Sequence, residues 1–168
     1  MHDLNKYIKE CTGELDRLHV PYAKNIQFVI NHRACLRLGQ CRRQGGNYTI
    51  EISAALLDDR VDVKEGLKNT LHHELLHSCC GCMKHTGRWK AYADRVNAAY
   101  GYNIRRCASK DDQPLPRDLL PKAKYLLRCS KCGAEYPRQK MSAVVQHPER
   151  YRCGKCGGTL INATEKAE

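Results

Sequence analysis

The fifteen residues LHHELLHSCCGCMKH, Leu71 to His85, constrain this chain most, because they hold four histidines, three cysteines and one glutamate. Within them, His73-Glu74-x-x-His77 falls on a segment where Leu67, Leu71 and Leu75 recur at helical spacing. Residues four apart share a helix face, so both imidazoles can reach one ion. Glu74 is turned about 100° from His73, so it can miss the ion and still reach a water beside it. That separates ligands from base. Zinc lowers the pKa of water to about 7, and the carboxylate takes the proton as the water attacks a carbonyl.

A catalytic zinc needs a third protein ligand and an open fourth position. His85 is the best candidate, because Gly81 reads as a helix stop and a turn there can bring His85 back under the helix. A competing arrangement uses Cys79 and Cys82, whose C-x-x-C spacing could close a structural site with two histidines. Such a site leaves no room for water and gives Glu74 no task. Otherwise Cys79, Cys80 and Cys82 read as reduced thiols, and His72 faces away in a supporting or surface role. Cys11, Cys35, Cys41 and Cys107 are scattered and read as small packed hydrophobes.

Upstream, Leu4, Tyr7, Ile8, Cys11, Leu15 and Leu18 recur at helical spacing, and Val20–Pro21 ends the run. Three β-type segments follow, IQFVI, ACLRLGQC and YTIEIS, with Gly45–Gly46 as a hairpin turn between the last two. Tyr48, Ile50 and Ile52 share one face. Asp62 is placed to cap the next helix, with Glu65 as its partner. Trp89, Tyr92, Val96, Ala99 and Tyr100 form a further helical stripe. Residues 108–122 hold three prolines and mixed charge, and read as a linker. The domains expected are therefore 1–107, the linker 108–122, and 123–168.

In the tail, Cys129-x-x-Cys132 and Cys153-x-x-Cys156 are each followed by glycine, Gly133 and Gly157. Glycine tolerates the positive φ that a metal knuckle requires. Two such knuckles predict a closed four-thiolate zinc site with a structural role. The net charge is +11, and more than half of it lies beyond residue 120. Arg138, Lys140, Arg150 and Arg152, with Tyr136 and Tyr151 nearby, fit contacts to phosphates and stacking on bases, as in sequence-neutral binding of single-stranded DNA. The bland counterpart is a solvated face whose tyrosines pack on the zinc site.

The opening MHDLNKYIKECTGEL is charged throughout and does not read as a signal peptide. There is no run of eighteen apolar residues. The expectation is a cytoplasmic protein with no membrane partner, near the nucleoid if it binds DNA.

The stretch HTGRWKAYADRVN resembles the SprT-like (Spartan-like) metallopeptidases, in which a histidine after H-E-x-x-H opens a second helix beginning H-G-x-x-[FW]-K and running to R-[VI]-N. His85, Trp89, Lys90, Arg95, Val96 and Asn97 match, and YTIEISAALL is similar to the family's strand. Gly87 stands two residues after His85 rather than one. A C-terminal zinc ribbon is common in the family. The resemblance implies an α+β, zincin-like domain, made of an N-terminal helix, a small antiparallel sheet and two active-site helices, plus a small β zinc ribbon. It further implies a zinc metalloendopeptidase with His73, His77 and His85 on a catalytic zinc, acting on proteins bound or crosslinked to DNA. A non-catalytic, zinc-stabilised nucleic-acid-binding or regulatory protein is the alternative, and the intact Glu74 argues against it.

Overall fold

The computed structural model describes residues 1–34, 36–106, 114–120 and 122–164. The chain divides into two compact units, Met1–Leu120 and Pro121–Glu168. Among the described residues no helix is long and apolar enough to cross a membrane.

The first unit opens with α1, Leu4–Arg17, whose cap is Asp3: the carboxylate accepts from the N–H groups of Asn5 and Lys6. Leu4, Cys11 and Leu15 bury the face that the helical spacing predicted, with Tyr7, Ile8 and Leu18 packed at its margin. Strands β1 (Ile26–Asn31), β2 (Gly39–Gln44) and β3 (Asn47–Ser53) follow, in the order β1-β3-β2. The β2–β3 pair is the expected hairpin, with Gln44 opposite Asn47 across the Gly45–Gly46 turn. Tyr48, Ile50 and Ile52 face the core.

Two expectations need correction here. The sheet is mixed rather than antiparallel, because β1 runs parallel to β3, from Ile26 opposite Tyr48 to Asn31 opposite Ser53. The connection after β1 carries the chain past β3, so β3 inserts between its two predecessors. Ser53 holds that connection at both ends: its hydroxyl donates to the Ala34 carbonyl and its N–H to the Leu38 carbonyl. Strand β2 also starts later than the apolar run suggested. Asn31 Oδ1 accepts from the N–H groups of Arg33 and Ala34 and bends the chain there.

Asp62 caps as predicted, accepting from the Glu65 N–H at 2.7 Å. The first turns, Val63–Lys68, are wound wide as π-helix and continue into α2, Asn69–His77. That helix stops before Gly81, where the Ser78 hydroxyl donates to the Leu75 carbonyl and occupies an end-of-helix acceptor. Helix α3, Gly87–Tyr100, buries Trp89, Ala93 and Val96, so Ala93 rather than Ala99 completes the apolar stripe. Of the stretch read as a linker, residues 108–113 and 121 lie outside the described residues. Residues 114–120 belong to the first unit: Leu115 is in its core, and Arg60 reaches Asp118 at 2.9 Å.

The second unit is a three-stranded antiparallel sheet of β4 (Tyr125–Cys129), β5 (Glu135–Arg138) and β6 (Leu160–Asn162) in the order β5-β4-β6, with a short helix α4, Ala143–Gln146. Its described core is small: Leu127, Cys129, Val145, Cys153 and Leu160.

Candidate metal centres

In the first unit the helical i,i+4 spacing puts His73 and His77 side by side on α2, with ring centroids 5.1 Å apart. The turn after α2 brings back His85, just before the start of α3. Its Nε2 lies 2.9 Å from His73 Nε2 and 3.0 Å from His77 Nε2. His77 Nδ1 donates to the Cys82 carbonyl at 2.8 Å, and the Arg105 carbonyl favours a proton on the His73 ring. Protons so placed leave the two α2 Nε2 lone pairs aimed at a common point with His85. Lone pairs so close repel one another unless a proton or a metal cation lies between them. Zinc with Zn–N bonds of about 2.0–2.1 Å would set tetrahedral nitrogens about 3.3 Å apart, close to the spacing seen.

The electrostatics favour the neutral, ligating imidazoles. Burial lowers His73 to about 4, and the neighbouring His77 and His85 add to that. Burial also lowers His77 and His85. Beneath the three rings lies the Trp89 indole, 2% exposed, with its centroid 4.9, 5.6 and 4.6 Å from those of His73, His77 and His85.

Glu74 takes no part in the ligand cluster. It faces β2, where the Cys41 backbone N–H turns its positive end towards the carboxylate. Burial pushes its pKa up to about 7, against the pull of that N–H and of Arg37. Since Leu38 bonds across to Ser53, alternation along an antiparallel pair turns Leu38, Gln40 and Arg42 towards β3. Gly39, Cys41 and Arg43 therefore present their main-chain groups at the outer edge. Sequence reasoning passed over this contact. A glycine inside a strand was the available signal, since it often marks close approach of another group.

His72 is fully buried rather than at the surface. Its Nε2 bonds Glu14 at 2.7 Å, and Glu14 also accepts from Lys68 Nζ at 2.6 Å and Tyr102 OH at 2.9 Å. Burial pushes the Glu14 carboxyl up, but the bonds from His72, Lys68 and Tyr102 outweigh it and hold the pKa at about 2. Cys11, Glu14 and His72 lie close enough to share an ion, yet the Lys68 ammonium already occupies the cation's place on Glu14. The proposed ring of Cys79 and Cys82 with histidines does not form: the cluster of His73, His77 and His85 includes no cysteine among the described residues. Both thiols are buried, and burial raises Cys79 to about 12, so it stays protonated. Cys11 is buried, Cys41 half-buried and Cys80 exposed. Cys35 and Cys107 lie outside the described residues.

In the second unit the four cysteines converge as their spacing predicted. Cys129 and Cys156 sulfurs are 3.5 Å apart, and those of Cys132 and Cys153 are 3.6 Å apart. Zn–S bonds of about 2.3 Å would place tetrahedral sulfurs about 3.8 Å apart. Each knuckle has the same form. The Gly133 N–H bonds the Cys129 carbonyl and the Gly157 N–H the Cys153 carbonyl, and both glycines have φ of 70°. N–H groups of Cys132 and Lys131 bond Cys129 Sγ and lower its pKa. The Tyr136 hydroxyl lies 2.9 Å from Cys153 Sγ and, as the largest influence, brings that thiol down to about 6. Cys156 goes the other way, to about 12: the Gly158 N–H lowers it, but the sulfurs of Cys132 and Cys129 prevail. Four crowded sulfurs cannot all ionise without a cation.

The basic residues expected to meet nucleic acid are spread over this unit. Arg138 ends β5 half-buried and bonds the Pro137 carbonyl, and Lys140 is exposed in the turn beyond. Arg150 is exposed beside Glu149, and Arg152 donates to the Thr159 hydroxyl at 3.0 Å. Tyr151 is 40% exposed, whereas Tyr136 is committed to Cys153.

A helix bearing H-E-x-x-H, with a third histidine supplied after it and a buried glutamate set aside from the ligands, defines a metal-site domain of α+β class. The SprT-like family model matches residues 4–108, and the chain belongs to that family. Similar proteins carry the same description. The chain is 25% identical over 164 residues to the Protein SprT-like of Bacillus subtilis (strain 168), covering 93% of this chain and 95% of that one. It is 26% identical over 129 residues to the Protein SprT-like of Bacillus velezensis, covering 77% and 82%. It is also 46% identical over 43 residues to that of Lactococcus lactis subsp. lactis, covering 26% of each.

Proposed function

We propose that this chain is a zinc-dependent endopeptidase acting on DNA-associated or DNA-crosslinked proteins in the cytoplasm, with one catalytic zinc on His73, His77 and His85 and one structural zinc on the four cysteines of the second unit. The observation that carries the reading is the convergence of three Nε2 atoms beside a buried glutamate that is not a ligand. When bound, zinc supplies a Lewis acid that brings the pKa of water to about 7. Glu74 takes the proton of the attacking water and returns it to the leaving amine. Burial raises the proton affinity of that carboxyl, which suits a group that takes up a proton and passes it on. The outer edge of β2 lies beside Glu74. An extended peptide added there gains main-chain hydrogen bonds whatever its side chains, which suits a broad protein substrate class.

Glu74→Gln should keep the metal and lose at least about 1,000-fold in hydrolysis of an unfolded protein, measured beside metal content. Full activity in that variant would sink the assignment of Glu74 as the base, whereas a parent chain that hydrolyses nothing would leave a zinc-stabilised binding protein. For the substrate class, cleavage of a DNA-binding protein is compared with and without single-stranded DNA, using the whole chain and one ending near residue 121. DNA should accelerate only the whole chain, by raising the local concentration of substrate, and the gain should fall steeply with salt. Neutralising Arg138, Lys140, Arg150 and Arg152 together should remove that gain and leave basal cleavage. Equal rates in all four reactions would take DNA out of the account.

A further inference from the structure

Gly39 lies at the start of β2, directly against the α2 face that carries Thr70 and Glu74. A Cβ on residue 39 would sit 2.7 Å from both Cγ and Oε1 of Glu74 and 2.8 Å from Thr70 Cγ2. All three distances are well inside van der Waals contact. Thr70 has no easy retreat, because its hydroxyl is tied to the Gly66 carbonyl at 2.8 Å and its branched side chain is stiff on a helix. The same carboxylate lies in the field of the Cys41 N–H.

We propose that Gly39 is a positioning residue for hydrolysis: its missing side chain lets Glu74 lie against the edge of β2, and that packing sets the orientation of the carboxylate that receives the proton. This rests on the peptidase reading of Glu74. A methyl at residue 39 is a wedge between the strand and the helix. It either swings the carboxylate off Cys41 or pushes β2 away from α2, and in both cases the base is misplaced while the histidines keep their backbone partners, Cys82 and Arg105. A displacement of about 1 Å at such a group costs about 100-fold in rate.

The test compares the parent chain with Gly39→Ala, Thr70→Ser and Gly39→Ala/Thr70→Ser, all loaded with zinc. The serine keeps the hydroxyl bonded to Gly66 and deletes the methyl that the wedge would meet. Metal content, kcat and KM on an unfolded protein, and the Cys41 amide resonance are measured, with Glu74→Gln marking where that resonance moves when the carboxylate is lost. Gly39→Ala should retain zinc, lower kcat about 100-fold with KM within about 2-fold, and shift the Cys41 amide. Thr70→Ser should match the parent, and the double variant should recover at least about 5-fold of the lost kcat, with part of the amide shift reversed. If Gly39→Ala does not fold, Thr70→Ser against the double variant gives the same comparison. An unmoved amide, or an unchanged kcat in a folded variant, overturns the proposal. Should the parent cleave nothing, the hydrolytic reading falls, while the amide shift still decides whether Gly39 sets the place of Glu74.

Discussion

The two ligand clusters are built in opposite ways. In the first unit the three histidines are attached to a core drawn from all three helices and from β3, and backbone carbonyls orient the rings of His73 and His77. The site is prepared by the fold. In the second unit, Cys129 and Cys153 belong to the small core itself, beside Leu127, Val145 and Leu160. There a bound metal would complete the fold. A domain of that size has too little apolar surface to offset its chain entropy, so metal binding would supply folding energy. One cluster would shape an ion's surroundings, and the other would be shaped by its ion.

The largest expected effect breaks the comparison at its weak side. Cys129→Ser with Cys132→Ser should release one zinc and unfold the chain from Tyr125 onward, while amide resonances of residues 1–106 stay in place. His73→Ala should release the other zinc and unfold nothing. Loss of both ions from the cysteine variant, read by metal analysis, would mean that the units depend on one another.

The next effects lie within the first unit, where two buried glutamates are shifted in opposite directions. Glu14 anchors α1 to α2 through Lys68 and His72, so Glu14→Gln should cost about 3–5 kcal/mol at neutral pH, as when a buried ion pair loses one partner. Its contribution is present above the ordinary carboxyl range and is lost as pH falls towards about 2. Glu74 behaves in reverse. Its pKa is raised from 4.5 to about 7, so its contribution is complete below pH 4.5 and is lost as pH rises through 7. In the metal-free protein, Glu74→Gln should match the parent near pH 4.5 and exceed it at pH 8 by about 3 kcal/mol. Urea unfolding of the first unit at the two pH values measures both. A Glu74→Gln variant less stable than the parent at pH 8 would show that burial is not what strains this carboxyl.

The smallest effect concerns one hydroxyl. Tyr136→Phe removes the donor to Cys153 and should weaken zinc binding at the cysteine site about 10-fold, read by competition with a chelator, without change at the histidines. An unchanged affinity would assign Tyr136 to packing alone.

Much of both clusters was legible in the chain because their geometry is local. The helix pitch alone places His73 beside His77 and turns Glu74 away. The knuckle pattern alone requires positive φ at Gly133 and Gly157, and both have it. The face of α1 and the hairpin at Gly45–Gly46 were readable for the same reason. Other features escaped because they depend on distant residues. Alternation of apolar residues assigns faces to a strand but not neighbours, so the parallel partner of β3 was invisible. The fate of residues 114–120 depends on the pocket waiting for Leu115.

By itself, then, the sequence determined which residues could gather around a metal, since spacings of three and four are governed by backbone geometry that any helix or knuckle shares. Only the tertiary structure decided what surrounds them: that His72 is spent on Glu14, that Cys79 and Cys82 stay out of the histidine cluster, and that Glu74 rests on β2 where Gly39 leaves it room. Those contacts join residues tens of positions apart, and their energies depend on burial, which exists only once the chain has closed around them.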